Sequence, residues 1–216
     1  MEIYKTLFNT WNEKFSSITS STMFAKLGST LAKLRKVQKV YPERQNVFRC
    51  FKETDINKTV VIVWSDEPYA SNISDGLAFS ANSSITPYIL SKIHSEIENQ
   101  IYDGLKLNYD NDLSYLSTQG VLLYNSNLTV SEFHHDEFWK QFNYEFVNLL
   151  NTLEWPIYII SMGDLAKEYT QLIKNDYITV QQIRHPSASS WNADDCFAEC
   201  NKFLKKHYGP LIEIIW

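Results

Sequence analysis

The run Thr59-Val60-Val61-Ile62-Val63-Trp64, which leads into the polar residues Ser65-Asp66-Glu67, decides the fold. A short apolar run rich in β-branched residues is typical of a strand that is buried on both faces of a sheet. Three further runs of this kind follow, and a stretch of helical periodicity comes after each of the four. The predicted strands are residues 59–64, 120–124, 156–160 and 177–180, and the predicted helices are residues 87–101, 136–153, 164–173 and 193–206.

Four strands that each lead into a helix predict an α/β fold, with a central four-stranded, parallel, twisted sheet and helices on both faces. No linker-like segment or internal repeat divides the chain, so residues 1–216 are expected to form a single domain. Residues 1–40 are expected to be its N-terminal helical part, because apolar residues recur there at helical spacing. The pair Tyr41-Pro42 is expected to end that helix, since proline disfavours α geometry in the residue before it.

Composition sets the outer limits on function. The 216 residues are 44% hydrophobic and 21% charged, as in a globular protein, with a net charge of −5 and a pI of about 5.5. This mild acidity argues against binding nucleic acid through bulk electrostatics. The cysteines are odd in number and no signal-peptide core precedes them. They predict reduced thiols, no metal site and a cytoplasmic location, in the host cytoplasm if the protein is viral.

Parallel sheets of this type carry their sites in the crevice at the carboxyl ends of the strands. The segments there bring a carboxylate (Asp66 or Glu67), the amide of Asn125 and the imidazole of His185 to one edge. A carboxylate orients water or stabilises a cation, an imidazole stabilises an anionic leaving group, and an amide pairs with the polar edge of a base. Phe79 adds a face on which a flat ring can stack. Neither a nucleophile elbow nor a Gly-rich phosphate loop is present.

These segments resemble the motifs of the classical uracil-DNA glycosylases, in matching order from about residue 41 to residue 216. Several short matches in register are stronger evidence of a shared fold than any one of them alone. The resemblance therefore implies the uracil-DNA glycosylase fold. The matching segments are Tyr41-Pro42 with Asn46 to Phe51, Val60 to Tyr69, Gly76-Leu77-Ala78-Phe79-Ser80, Gly120 to Val130, His185-Pro186-Ser187 and the terminal Ile212-Glu213-Ile214-Ile215-Trp216.

The resemblance implies an enzyme that flips uracil out of DNA into a tight pocket and hydrolyses its N-glycosidic bond without a cofactor. Phe79 would stack on the base, and Asn125 would pair with its polar edge. His185 would stabilise the negative charge on the departing base, and Asp66 would stabilise the sugar cation and orient the attacking water. The other residues expected to bind the base are Ser65, Pro68 and Tyr69.

The loop after the first predicted strand departs from the family's motif and leaves two assignments open. The ten residues from Asp66 to Gly76 match the family's spacing from its catalytic aspartate, which favours Asp66 over Glu67. With that alignment, Pro68 takes the place of the family's tyrosine that excludes thymine, so the substrate could be a 5-modified uracil. If the loop bulges instead, Tyr69 takes that place and Glu67 becomes the catalytic carboxylate.

The resemblance also implies contacts with single- or double-stranded DNA around the pocket. In the family's DNA-intercalating loop, Ser189 replaces the leucine that wedges into the base stack, and Trp191 is a candidate substitute for it. The family's Gly-Ser phosphate contact becomes Gly163-Asp164, which puts a carboxylate where DNA phosphate would come. The residues expected to contact DNA are Ser187, Ser189, Trp191, Gly163 and Pro42.

The main alternative is a glycosylase fold that recognises DNA or a protein partner with little or no catalysis. The altered loop at residues 64–70, together with Ser189, Asp164 and the net charge, motivates it. In either case the protein is expected to be a monomer. For DNA to bind, the positive charge of a basic strip would have to outweigh the negative charge of the acidic residues at the DNA-facing edge. The residues of that strip are Lys33, Arg35, Lys36, Lys39 and Arg184.

Overall fold

Four parallel strands form the centre of the computed structural model, which describes residues 8–131 and 137–216, the side chain of Glu137 excepted. The strands of the chain are β1 (Val40–Tyr41), β2 (Val61–Ser65), β3 (Val121–Asn125), β4 (Val130–Ser131), β5 (Ile157–Met162) and β6 (Ile178–Ile183). The large sheet has the order β3-β2-β5-β6, and each strand runs parallel to its neighbours. The predicted four-stranded parallel sheet is therefore confirmed. The short strands β1 and β4 form a separate antiparallel pair.

Strands β2, β3 and β5 are mostly apolar because both of their faces are covered. Every residue of β2, β3 and β5 is buried. Successive side chains point to opposite faces of a sheet, so neighbouring residues of β2 meet different helices. The ring of Trp64 lies 5.3 Å from that of Phe146 on one face, whereas Val63 borders a small interior cavity with Phe197 on the other.

Helices pack on both faces, as the sequence predicts. On the side of Trp64 lie α3, α6 and α7, and on the side of Val63 lie α4 and α8. The helices are α1 (Ser16–Thr19), α2 (Thr22–Leu34), α3 (Arg49–Glu53), α4 (Tyr88–Ile101), α5 (Ser114–Ser117), α6 (Glu137–Leu150), α7 (Asp164–Thr170) and α8 (Cys196–Tyr208).

The N-terminal part differs from the prediction in where its main helix ends. Helix α2 ends at Leu34, well before the proline that was expected to stop it. Beyond it, Arg35 donates hydrogen bonds to the carbonyl oxygens of Val40 and Pro42, and β1 pairs with β4. The Arg35 side chain and the long-range pairing of β1 with β4 hold the segment extended, and no pattern in the first forty residues predicts that pairing. Residues 1–7 of the predicted helical part lie outside the described residues.

The first and last residues of the other predicted strands and helices differ by up to three positions from those observed. Periodicity predicted neither the helices α3 and α5 nor the β1–β4 pair, because elements of two to five residues carry too little of it, although the matching segment at residues 46–51 implied a helix near α3. Asp136, the predicted start of α6, lies outside the described residues.

An aromatic cluster fastens the N-terminal segment to the sheet. Phe15 meets Phe51 of α3 edge-on, with ring centroids 5.0 Å apart, and Trp11 meets the same ring at 5.3 Å. The indole nitrogen of Trp11 donates a 2.8 Å hydrogen bond to the carbonyl of Thr54, so its burial leaves no unpaired donor. Each such ring pair contributes about 1 kcal/mol beyond its burial. The segment is thus part of the main core.

The three cysteines are free and buried, on both sides of the sheet. Cys50 lies in α3, and Cys196 and Cys200 lie in α8. Burial raises the pKa of each thiol, which keeps all three protonated and unreactive at neutral pH. Among the described residues, no three His, Cys, Asp or Glu side chains are grouped so that they could hold a metal ion. None of the described helices combines the length and the apolar character needed to cross a membrane.

Candidate active site

A cavity of about 810 Å³ opens at the carboxyl edge of the large sheet. Each strand contributes to it through the segment that follows: Glu67 after β2, Asn127 after β3, Asp164 after β5 and His185 after β6. This is where the strand order predicts a site. Of the residues predicted to act on the base or its surroundings, the cavity is lined by Asp66, Glu67, Pro68, Tyr69, Phe79, His185 and Ser187.

Phe79 stands in the cavity wall on a strained backbone. Its φ of +65° lies in the left-handed region, which costs a bulky residue roughly 1–2 kcal/mol. Two hydrogen bonds hold this conformation: the amide of Ala78 donates to the carbonyl of Leu123, and the hydroxyl of Tyr69 donates to the carbonyl of Phe79, both at 3.1 Å. The ring lies 5.7 Å from that of His185. Strain of this kind persists where the surroundings enforce it, and it is concentrated at functional sites.

Two residues that the sequence reasoning missed, Asp75 and Arg49, support the Phe79 segment from below. Asp75 is 4% exposed and accepts hydrogen bonds from the amide of Leu77 and the hydroxyl of Ser80. Its carboxylate also pairs with Arg49 at 2.8 Å. Burial raises the pKa of Asp75, and its hydrogen bonds and the Arg49 guanidinium oppose that rise. The position of Arg49 in a matching motif was the available signal, but nothing in the sequence connects it to Asp75.

Asn125 and Ser65 end strands β3 and β2 at the carboxyl edge and, unlike the segments that follow them, do not line the cavity. They are register partners in β3 and β2, so their side chains point to the same face of the sheet. Both are buried, and neither the Oδ1 atom of Asn125 nor the Oγ atom of Ser65 has a hydrogen-bond partner among the described residues. Native proteins rarely leave buried polar atoms unpaired, so this pair marks a place where the polar atoms of a ligand could bind.

The carboxylate of Asp66 joins the β2 loop to the first turn of α7. Its Oδ1 atom accepts a 2.8 Å hydrogen bond from the amide of Ala166, and the side chain lies directly on Gly163. Gly163 has a φ of +118°, and a Cβ atom there would come within 2.2 Å of the Asp66 Oδ2 atom, so only glycine fits. Burial raises the pKa of Asp66, against the backbone hydrogen bonds of α7, and the nearby Asp164 adds to the rise. Asp66 thus has a structural partner on the opposite lip of the cavity.

Tyr69 takes the place beside Phe79, as its hydrogen bond to the Phe79 carbonyl shows. Burial raises the pKa of the Tyr69 hydroxyl, which therefore stays protonated and remains a donor. Pro68 is buried and also lines the cavity, but it has no such contact with the stacking segment among the described residues. This geometry favours the bulged alignment, in which Glu67 is the carboxylate that corresponds to the family's aspartate. Glu67 is exposed at the cavity.

His185 faces the cavity with a defined tautomer. Its Nδ1 atom accepts a hydrogen bond of 3.2 Å from the amide of Ser187, and the Ser187 hydroxyl lies 2.8 Å from the same atom. The neutral ring therefore carries its proton on Nε2. Burial lowers the pKa of His185, and the positive charge of Lys92 lowers it further. The imidazole is accordingly held neutral at physiological pH, with one N–H to donate.

Three of the five residues predicted to contact DNA have different surroundings from those expected. Pro42 is buried and does not line the cavity, and Gly163 is buried under the Asp66 carboxylate. Trp191 is half-buried, with an indole nitrogen that has no partner among the described residues, and its ring packs against the core. A ring packed in this way does not project as a wedge. Ser187 and Ser189 are exposed, and Ser187 lines the cavity.

Charge at the cavity is predominantly negative. The carboxylates of Asp66, Glu67 and Asp164 line it, and Arg184 is the cation that lines it among the described residues. Within the expected basic strip, Arg35 is occupied by the carbonyls of Val40 and Pro42. The others in that strip, Lys33, Lys36 and Lys39, are exposed but do not line the cavity.

Proteins named uracil-DNA glycosylase are similar to the chain over most of its length. That of Streptococcus uberis is 30% identical over 209 residues, which cover 92% of this chain and 94% of that protein. That of Fusobacterium nucleatum is 31% identical over 207 residues, which cover 91% of each. No protein-family profile matches the chain.

Solved structures share the same fold. The mimivirus uracil-DNA glycosylase has a TM-score of 0.83 over 96% of this chain and 87% of that chain, at 20% sequence identity. A mimivirus UNG variant in complex with UGI gives a TM-score of 0.85 over 98% of this chain and 89% of that chain, also at 20% identity. The predicted fold is therefore confirmed.

Proposed function

The chain belongs to the uracil-DNA glycosylase family, and we propose that it hydrolyses the N-glycosidic bond of uracil in DNA at the carboxyl-edge cavity. One observation carries the proposal: Phe79, Tyr69 and His185 line one cavity at the carboxyl edge, where β3 ends in Asn125, whose amide oxygen has no partner among the described residues. These residues supply a stacking face, a wall, a hydrogen-bond donor and a pairing edge, which are what the excision of a flipped-out base requires.

Asn125 would recognise the edge of the flipped base. Uracil presents an N–H donor between two carbonyl oxygens, and the Oδ1 atom of Asn125 is an acceptor with no partner among the described residues. A buried acceptor without a hydrogen bond costs about 1–3 kcal/mol, and this cost disappears when uracil binds. Cytosine has an acceptor in place of that N–H, so the same geometry would reject it. Ser65 is buried beside Asn125, its Oγ atom has no partner among the described residues, and it would extend the polar floor.

Tyr69 would set the limit on base size. Because its hydroxyl is bonded to the Phe79 carbonyl, the tyrosine ring is fixed next to the stacking face. A methyl or hydroxymethyl group at the 5-position would have to occupy the volume of that ring. We therefore assign unsubstituted uracil as the substrate, rather than the 5-modified uracil that Pro68 in this place would admit.

His185 would stabilise the leaving group. When the bond between the sugar and the base nitrogen breaks, the electron pair moves onto the base, and its oxygens become negatively charged. The Nε2–H of neutral His185 would donate a hydrogen bond to one of them. A preorganised donor of this kind contributes about 3–4 kcal/mol to a transition state. Water then attacks the sugar carbon, and the products are uracil and an abasic site.

Glu67 would stabilise the sugar cation and orient the attacking water. It lines the cavity in the loop that ends at Tyr69, and Asp66, its neighbour, is bound to the α7 backbone. Asp66 would then hold the two lips of the cavity together. The spacing in the sequence favours the alternative, in which Asp66 is the catalytic carboxylate. Paired variants of Asp66 and Glu67 distinguish the two assignments.

The surroundings of the site fit an enzyme acting on DNA in the cytoplasm. Ser187 and Ser189 are exposed at the cavity rim and would meet the DNA backbone there. Water and these side chains supply all the chemistry of the hydrolysis, so no cofactor is required. The reduced, buried cysteines fit a reducing compartment. A monomer suffices, since one chain supplies the whole cavity.

A base-release assay tests the proposal directly. Single- and double-stranded oligonucleotides with one uracil, thymine or 5-hydroxymethyluracil are incubated with the purified protein, and abasic sites are cleaved with alkali. We expect release of uracil from both forms of DNA and of neither substituted base. Folded protein that leaves uracil in place would refute the proposal, and release of 5-hydroxymethyluracil would refute the role of Tyr69.

Paired variants identify the catalytic carboxylate. Glu67→Gln is expected to lower the single-turnover rate about 100- to 1,000-fold without changing the thermal midpoint, because it removes a charge that acts in the transition state. Asp66→Asn is expected to lower the midpoint by a few degrees, since it weakens the link to α7, and to retain more activity than Glu67→Gln. The opposite order of activities would return the catalytic role to Asp66.

A further inference from the structure

A lysine in α4 holds the loop that carries His185. The ammonium group of Lys92 donates hydrogen bonds to the carbonyl oxygen of Pro186 and, at 3.2 Å, to that of Ala188. These carbonyls lie one and three residues beyond His185 in the chain. Neither bond depends on loop sequence, since both acceptors are backbone atoms, so the lysine fixes the path of the chain just after the imidazole.

Two aromatic rings complete the surroundings of Lys92. Its Nζ atom lies 5.7 Å from the ring centre of Tyr88 in α4 and 5.4 Å from that of Trp191 at the end of the loop. Rings at these distances attract a cation by about 0.5–2 kcal/mol each. Among the described residues, no carboxylate lies within 4 Å of this ammonium group. Its charge is therefore held by carbonyl dipoles and rings and is not neutralised by an ion pair.

The positive charge acts on the nearby imidazole. An ammonium group disfavours a second cation beside it, which favours the neutral form of His185. The other charged groups at this cavity belong to different segments: Asp66 and Glu67 follow β2, Asp164 begins α7, and Arg184 precedes the histidine. The three carboxylates favour the charged imidazole, whereas Lys92 and Arg184 oppose it.

We propose that Lys92 is a positioning residue for uracil excision: it fixes the His185 loop through two backbone carbonyls and keeps the imidazole in the neutral, donating form. The assignment rests on the proposed function, in which neutral His185 donates its Nε2–H to the departing base. It explains how a loop whose exposed tip consists of small residues, Ser187 to Ser190, can hold a catalytic group.

Three variants test this role. Lys92→Met keeps the aliphatic stem but removes the donors and the charge, Lys92→Arg keeps both, and Lys202→Met removes an exposed cation of α8 as a matched control. For each, kcat and KM are measured on a single-stranded uracil oligonucleotide as a function of pH, and the imidazole of His185 is titrated by NMR. Thermal unfolding establishes that each variant is folded.

We expect Lys92→Met to lower kcat about tenfold, with a smaller change in KM, because a displaced donor is lost mainly in the transition state. The acidic limb of its pH profile and the titration of His185 should both move to higher pH. Lys92→Arg should restore most of kcat and both pH properties, and Lys202→Met should match the wild type.

A folded Lys92→Met protein with an unmoved His185 titration and an unmoved acidic limb would overturn the proposal, even if kcat falls, because the lysine would then be structural support alone. Failure of arginine to restore either property would overturn it as well. The NMR titration needs no activity, so it tests Lys92 even if the wild type releases no uracil. A folded wild type that releases no uracil would refute the proposed function, and the NMR result for Lys92 would stand apart from it.

Discussion

The floor of the cavity and its rim are built in opposite ways. The floor, taken as Asn125 together with the Phe79 segment of the wall, is supported by the ion pair between buried Asp75 and half-buried Arg49. The rim, residues 187–190, carries small side chains that are mostly exposed, and Lys92 joins this part of the chain to α4. Contacts at the floor are numerous and buried, whereas those at the rim are few and partly solvated.

This difference separates two demands on the protein. Selecting one base requires donors and acceptors held to within a fraction of an ångström, which only a buried and fully supported floor supplies. Contact with DNA of varied sequence needs a surface that can adapt, which few and exposed contacts allow. Changes at the floor should therefore alter catalysis or stability strongly, and changes at the rim should alter DNA binding mildly.

The largest expected effect lies at the floor. Asn125→Leu removes the pairing edge at nearly constant shape and should lower kcat/KM for uracil about 1,000-fold. Its thermal midpoint should not fall, because the variant also removes a buried acceptor that has no partner among the described residues. Single-turnover assays and thermal melting measure the two quantities. A fully active variant would show that Asn125 does not recognise the base through hydrogen bonds.

The support beneath the floor should govern stability. Arg49→Met leaves the buried Asp75 carboxylate without its cation and should lower the free energy of unfolding by about 3 kcal/mol. Urea denaturation measures this loss. Lys26→Met, at an exposed position of α2, is the control and should change stability by less than about 0.5 kcal/mol. Equal stability of the two variants would mean that the ion pair does not anchor the segment.

The smallest effect is expected at the rim. Ser189→Leu restores an apolar side chain where the family has its wedge, and insertion into a base stack should lower KM for double-stranded DNA about threefold to tenfold. Single-stranded substrate has no stack to open, so its KM should stay constant, and Ser189→Ala is the control on both. An equal fall in KM on single-stranded DNA would indicate non-specific apolar contact with DNA rather than insertion into the base stack.

Sequence reasoning recovered the elements that carry a strong local pattern. Three of the apolar runs predicted strands β2, β3 and β5 because burial on both faces favours apolar residues at nearly every position. The fourth run, residues 177–180, found the start of the edge strand β6, which is mostly half-buried or exposed. Phe79, Asn125 and His185 were found because each stands in a short motif. The β1–β4 pair was missed because two residues per strand carry no periodicity.

The remaining parts of the site depend on contacts that sequence does not display. Lys92 meets carbonyls 94 and 96 residues away, and backbone acceptors leave no trace in residue identity. The spacing to Gly76 favoured Asp66 over Glu67, but a one-residue bulge in the loop exchanges their places. The hydrogen bond from Tyr69 to Phe79, a contact in space, favours Glu67.

The buried thiols allow local unfolding of the protein to be measured without an added probe. A protonated, enclosed cysteine reacts with an alkylating reagent only while the surrounding structure is open, so the labelling rate measures the free energy of that opening. Cys50 samples the helices on one side of the sheet, and Cys196 and Cys200 sample those on the other. Mass spectrometry of alkylated peptides would therefore resolve which side yields first, without introducing a label and without DNA.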